Sequence, residues 1–468
     1  MSASFKSPKP SGMSGNTPTV QLLSESELHQ IINRVLKLAK ASQADETEVH
    51  VDEVEDALTR FANNAIHQNV VEHGLTVSIR TVVDGRTARV TTNRLDEDSL
   101  RAAIDSSLSL AHSQPKDAKL LPLPGKQRYR RVNRFLKTTA AITAEDRARA
   151  VRAASDLAIR SGQVAAGIFA TGENHSAMGN SRGLFAAYRE THAEFSITMQ
   201  EASAASWAKA NSADVRAFDP QTLAQRASEK AHLAVDAREL APGRYTVILE
   251  PSAVLDLVGF LFYDFAATAV EDKRSCLNDR LGKQIFGKNI SLADDVYHPL
   301  QLGANFDGEG LPRERVVLID RGVPKNLVYS RSSAKAAKKK PTGHGFNLPN
   351  EYGEAPMNLV FTGGPTPLEK MIASTDRGLL VTRLWYIREV DPYEKVMTGM
   401  TRDGLFLVEN GKVNSAVRNF RFNQSLLEML RNVELLGPAV RATGEEAFEM
   451  VIPAMKVLNF NFSEVTKF

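Results

Sequence analysis

Apolar residues Leu28, Ile31, Ile32, Val35 and Ala39 recur at helical spacing, and Ser24 with Glu27 ahead of them makes a capping-box pattern. The period then shortens to two. A strand is predicted near 48–54, and Leu75, Val77 and Ile79 alternate strictly. Asp84-Gly85 is a two-residue hairpin signal, and residues 86–92 form the return strand. Asp96 then caps a helix over 100–108. Residues 114–126, with Pro115, Pro122 and Pro124, read as an irregular linker. Thr143 and Asp146 open a helix that closes near Gly162. Strands follow at 164–171 and 184–189, joined by a turn at 180–183. Ala193, Phe195, Ile197 and Met199 continue the alternation. Asp219-Pro220 starts a further helix to about residue 235.

Two stretches, 22–112 and 143–235, thus share one order of helix, strands with a tight turn, and capped helix. This order suggests an internal duplication. Beyond Pro242-Gly243 the pattern changes. A strand at 244–250 leads into an apolar helix that Pro251 begins and that covers 253–270. Short apolar strands follow at 316–320, 359–362, 379–388 and 405–409, and Asn410-Gly411 is a second hairpin signal. Asn423 is read as capping a helix to Leu436, with Gly437 as its stop, and the last strand lies near 455–462. The fold class is α+β with two domains. Residues 1–21 read as a disordered tail, 22–236 as an N-terminal α/β domain and 237–468 as a β-rich C-terminal domain.

Composition narrows the classes. The 468 residues carry 58 basic and 55 acidic side chains, 43% hydrophobic and 24% charged residues, so a collagen or a fully disordered chain is excluded. The charge is nearly balanced, which argues against direct nucleic-acid binding. The basic run at 330–341 reads as a solvated loop. Cys276 is the one cysteine, so neither an intramolecular disulfide nor a cysteine metal cluster can form. The first residues contain no apolar run like a signal peptide, and no stretch of about 18 apolar residues occurs that could span a membrane. A soluble, cytoplasmic protein is expected.

Recognisable chemistry is scarce. The ten histidines form no H-x-H, H-x-x-x-H or H-E-x-x-H pattern. No P-loop or G-x-S-x-G elbow is present, and the Gly-x-Gly pairs at 308/310 and 343/345 open no predicted helix. Cys276 has no base placed beside it by the sequence. Asp264 and Glu271, seven residues apart, would share one face of a regular helix, a spacing open to acid–base work and equally to salt bridges.

Several stretches together resemble the TldD/PmbA (TldD/TldE) family: 60–69 (RFANNAIHQN), 83–86 (VDGR), 92–96 (TNRLD), 180–183 (NSRG), 242–247 (PGRYTV), 341–344 (PTGH), 398–404 (TGMTRDG) and 408–412 (VENGK). Their order runs from about residue 22 to the C-terminus. The resemblance implies a cytosolic two-domain dimer, named as a metalloprotease or modulator of DNA gyrase. In it a TldD-type subunit pairs with a PmbA/TldE-type subunit to degrade peptides threaded into an inner groove. The TldD-type subunit carries zinc on a His-Glu-x-x-x-His helix, with a further ligand from the C-terminal region.

At that helix this chain departs from the pattern. Tyr263 stands at the first histidine, Asp264 at the glutamate and Thr268 at the second histidine, and no cysteine or histidine lies near 442–444. Tyrosine and threonine are poor substitutes for two imidazoles. The expectation is therefore a PmbA/TldE-type subunit with no catalytic or metal-binding residues of its own, the zinc belonging to a TldD-type partner. The groove position implied by the family selects strands near 382–388 and 399–402, with Arg383, Trp385, Arg388 and Arg402 as peptide contacts. A self-sufficient metallopeptidase with a non-standard site, and a non-proteolytic regulatory binding protein or homodimer, are the alternatives.

Overall fold

The computed structural model describes residues 21–466. All but the last residue of the tail predicted at 1–21 lies outside them. The first part contains α1 (Glu25–Ala39), β1 (Glu46–Ala62), β2 (Ala65–Val83), β3 (Arg86–Thr92) and α2 (Glu97–Ser113). After the short α3 (Lys137–Ala140), the same order returns as α4 (Ala144–Arg160), β4 (Val164–Asn180), β5 (Phe185–Glu201), β6 (Ala204–Ser212) and α5 (Pro220–Leu233). The strands form one antiparallel sheet in the order β3-β2-β1-β4-β5-β6. The two halves meet at β1 and β4, so the sheet reads the same outward from its centre.

The caps act as their residue types dictate. Ser24 with Glu27, and Thr143 with Asp146, form reciprocal capping boxes, and the Asp96 side chain accepts from Ser99 N. Asp84 and Gly85 both take positive φ, as a tight hairpin requires. Ala165, Phe169 and Ala177 of β4 alternate onto one face and pack under helices from both halves. On the other face Met178, Ala186 and Tyr188 pack against Phe306 of the C-terminal part. The strands outrun the predicted ones because the outer half of β2 is exposed and polar, and therefore lacks the apolar alternation that marks 75–79.

The C-terminal part runs β7 (Gly243–Leu249), α6 (Pro251–Val258), α7 (Ala267–Glu271), β8 (Leu292–Asp294), β9 (Val316–Asp320), β10 (Val323–Pro324), α8 (Arg331–Ala336), β11 (Leu359–Phe361) and α9 (Leu368–Ala373). It continues with β12 (Arg377–Asp391), β13 (Val396–Glu409), β14 (Lys412–Ala416), β15 (Phe420–Ser425), α10 (Leu426–Arg431), β16 (Val433–Ala442) and β17 (Met450–Val465). Its eleven strands pair so that β17-β15-β13-β12-β7 closes back onto β17. Phe420, Phe422, Phe460 and Phe462 fill the large core with α6.

Three expectations are corrected. The helix predicted over 253–270 ends at Val258. Residues 259–265 tighten into a 3-10 turn, Ala266 is extended, and Val328 pairs there, donating to Phe265 O and accepting from Ala267 N. The Val328 segment thus takes over hydrogen bonds that a continuous helix would have used. Asp264 and Glu271 consequently do not share a helical face. The helix expected from Asn423 to Leu436 is α10 alone, with Ser425 as cap. Asn423 pairs with Thr398 inside a ladder, and Gly437 lies within β16. The basic run at 330–341 is not all loop, because Ser330 and Ser333 cap α8. Among the described residues, no helix is long and apolar enough to cross a membrane.

Candidate functional site

The segment after α6 places Tyr263 and Thr268 together and sends Asp264 elsewhere. Tyr263 Oη donates to Tyr352 O at 3.1 Å, and Thr268 Oγ1 donates to the same carbonyl at 3.2 Å. Thr268 N donates to Glu354 Oε1 at 2.8 Å, and the other Glu354 oxygen accepts from Ser330 N and Ser333 Oγ at the start of α8. Gly353, at φ +76°, brings this loop so close that a Cβ would stand 2.8 Å from Thr268 Cγ2.

Asp264 is buried on the inner side of the segment. Its Oδ1 accepts from Cys276 N at 2.7 Å, and its Oδ2 lies 2.6 Å from Lys395 Nζ, which also meets Glu389 Oε2 at 2.6 Å. Burial alone would lower the Lys395 ammonium, but Asp264 and Glu389 outweigh it and hold the group above its ordinary value. Burial pushes the Cys276 thiol well up, and the side chain is fully enclosed.

These residues do not fit a zinc ion. Neutral tyrosine and threonine hydroxyls, both spent as donors to one carbonyl, are poor zinc ligands beside imidazole or thiolate. The Asp264 carboxylate carries a lysine cation. Among the described residues no three His, Cys, Asp or Glu side chains converge as metal ligands would.

The second candidate region lies on the β12–β13 ladder, where Arg383 pairs with Arg402 and Trp385 with Met400. The Arg383 guanidinium is buried between Trp207 of β6, 4.7 Å from the ring centre, and Trp385, at 5.9 Å. It bonds the Asp403 carboxylate and lies 3.6 Å from Glu445. Arg402 stacks on the Trp385 ring at 4.5 Å. Three of the four predicted peptide contacts therefore form one stack with Trp207. Arg383 is enclosed as the frame of that stack, while Trp385 and Arg402 reach outward. Arg388 stands apart, past a bulge, over the Tyr386 ring at 4.4 Å and 3.4 Å from Glu446.

A loop at 443–449 ties this wall together. Asp256, fully buried on α6, accepts from the backbone N–H of Glu445 and of Glu446, both at 3.0 Å, through Oδ1. A Cβ at Gly444 would lie 2.0 Å from that oxygen, so the approach needs glycine there. Burial pushes the Asp256 carboxyl up to about 7, the two amides oppose it, and the Glu446 and Glu445 carboxylates add to the rise. From the same loop Glu446 accepts from Tyr386 N, and Glu449 accepts from Asn211 Nδ2 of β6. The loop thus braces both sheets. Beside the stack, a cleft of about 820 Å³ opens between the β5–β6 hairpin and residues 400–405 of β13.

Sequence reasoning did not find Lys395, Glu389, Trp207, Asp403 or the loop glutamates, because their pairings join residues about sixty or more positions apart or meet across a hairpin. Asp256 did leave a signal: it is the lone acid in the apolar run 253–258.

The profile described as the PmbA/TldA metallopeptidase C-terminal domain matches residues 242–464, and that described as PmbA/TldA metallopeptidase domain 1 matches 48–111. Metalloprotease PmbA of Escherichia coli O157:H7 is 27% identical over 224 residues, 47% of each chain. A metalloprotease of Methanothermobacter thermautotrophicus is 23% identical over 48% of this chain and 49% of its own. The matched stretches span about half the length of these curated relatives or less. In architecture the chain is similar to TldE from Thermococcus kodakarensis (TM-score 0.85, 21% identity, 92% of this chain and 100% of that one). It is also similar to a candidate modulator of a DNA gyrase from Thermotoga maritima (TM-score 0.83, 20% identity, 93% and 100%).

Proposed function

Because the chain belongs to the TldD/PmbA metallopeptidase family, we propose that it is the non-catalytic subunit of a heteromeric zinc protease, lining the chamber that holds an unfolded peptide. A TldD-type partner would carry the zinc, and the complex would work in the cytosol. The observation that carries this reading is Lys395. Its ammonium sits 2.6 Å from the Asp264 carboxylate, at the place where the family resemblance puts the general base. A carboxylate held against a lysine and a backbone amide is not free to orient a water.

The chamber wall is supported by the outward faces of Trp385 and Arg402. An extended peptide satisfies its backbone along strand edges and its side chains against such surfaces.

The test is elemental analysis of the purified full chain, prepared without chelator or polyhistidine tag, followed by cleavage of an unfolded protein with and without a TldD-type partner. The expected result is near-zero zinc, no cleavage alone, and cleavage by the mixture that exceeds that of the partner alone. Cleavage by the single chain would overturn the reading in favour of a self-sufficient enzyme. Binding without cleavage in the partner's presence would favour a regulatory binding protein. The combined variant Tyr263→His, Asp264→Glu, Thr268→His is expected to stay inactive, because no third ligand lies near 442–444 and Lys395 still occupies the carboxylate. Zinc-dependent cleavage by that variant would show that the rest of the site is intact.

A further inference from the structure

Arg402 is differently placed from the other cations of the wall. Its guanidinium is stacked on Trp385 and its side chain is 44% exposed. The neighbouring carboxylate, Asp403, is engaged by Arg383 and meets Arg402 at 3.5 Å through Nε. Among the described residues neither terminal NH2 group of Arg402 makes a hydrogen bond. A guanidinium with one face on an indole and its donors unspent is arranged for a bidentate acceptor.

The backbone supplies the space. β13 pairs with β15 through Met400 and with β14 from Phe406 onward. Between them Asp403 and Gly404 take φ of +50° and +133°, and β13 pairs there with neither β14 nor β15, while β12 stays paired on its other side. The resulting cleft of about 820 Å³ holds Arg402 on one wall and Arg418 on another. Arg418 is paired with the exposed Glu239 at 3.1 Å, a solvent-screened partner that a ligand can displace. Asp236 and Asp403 line the same cleft, so a dianion such as a phosphate group would meet about twice the repulsion that a single negative charge meets.

We propose that this cleft is a receptor for a carboxylate of the bound peptide, at its C-terminus or on a side chain, with Arg402 as the anchor. The proposal rests on the peptide-wall reading and gives it a substrate preference.

The chain's two tryptophans, Trp207 and Trp385, both flank Arg383, so intrinsic tryptophan emission reports on this wall. The purified full chain is titrated with three short alanine-rich peptides: one with a free C-terminus, one amidated, and one amidated with glutamate as its last residue. The free acid is expected to bind about tenfold or more tightly than the plain amide, the gain of a charge-assisted bidentate pair. Arg402→Gln should erase that difference while keeping the melting temperature. The amidated glutamate peptide matching the free acid means that a side-chain carboxylate serves, and its matching the plain amide means that the terminus is read. Equal binding of all three peptides to the wild type overturns the carboxylate receptor and leaves the peptide wall standing. Binding of none of them overturns both.

Discussion

The Asp264 region and the Arg402 region are built from similar materials and come to opposite ends. Each sets a basic side chain against carboxylates on the same C-terminal sheet. At Asp264 the lysine is buried and meets two acids, and the nearby hydroxyls end on a backbone carbonyl. The charged groups there pair with one another within the chain. At Arg402 the wall buries one arginine with the local acids and leaves the next one half-exposed on a tryptophan. The first arrangement is spent on holding the chain together, whereas the second keeps donors in reserve. A polar cluster therefore reveals a site less by its composition than by which of its groups remain unpaired.

The contrast is broken most forcefully at Lys395. Lys395→Met leaves Asp264 buried without its cation and is expected to cost about 3–5 kcal/mol in chemical denaturation. A loss below about 1 kcal/mol would mean that the pair is not structural.

Asp256 gives the next effect, and its sign is fixed by its carboxyl lying near 7 rather than at its ordinary 3.8. Between those values the folded chain keeps a proton that the unfolded chain releases, so this group's stability contribution is full below about pH 4 and is lost as pH rises through 7. Asp256→Asn, which keeps an acceptor oxygen and cannot ionise, should gain on the wild type with rising pH. The gain should reach on the order of 4 kcal/mol above neutrality. A difference between the two proteins that does not change with pH would remove Asp256 as the titrating group.

A smaller loss, about 1 kcal/mol, is expected for Thr268→Val, which removes one of the two donors to Tyr352 O. Smallest is Arg402→Gln, expected within about 0.5 kcal/mol of wild type because the exposed guanidinium contributes little to folding. A large destabilisation there would place Arg402 among the spent groups and dissolve the contrast.

Local rules made much of the scaffold legible. Capping at Ser24, Asp96, Thr143 and Asp219, and the Asp84-Gly85 and Asn410-Gly411 turns, are decided by a few adjacent residues and stand as the sequence pattern predicts. The failures share one cause. The apolar run 253–270 has a helix's composition, but Val328, distant in sequence, supplies competing backbone partners at Ala266. Asn423 looks like a cap and is claimed by a ladder with Thr398. Of the candidate site, the resemblance points to positions 263, 264 and 268, but not to the Lys395 cation that meets Asp264. Its position depends on a hairpin turn in which Lys395 itself takes φ +52°, a conformation no sequence pattern marked.

The pairing of β17 with β7, β11, β15 and β16 carries a consequence for biosynthesis. Residues 46–212 hold every strand of the first sheet and can condense while the ribosome is still adding the C-terminal half. The second sheet has its seam closed by residues 450–465, so the edge of β7 that does not pair with β12 must wait about two hundred codons for its partner. During that interval its apolar edge is open to other nascent chains, a window in which chaperone holding would matter most.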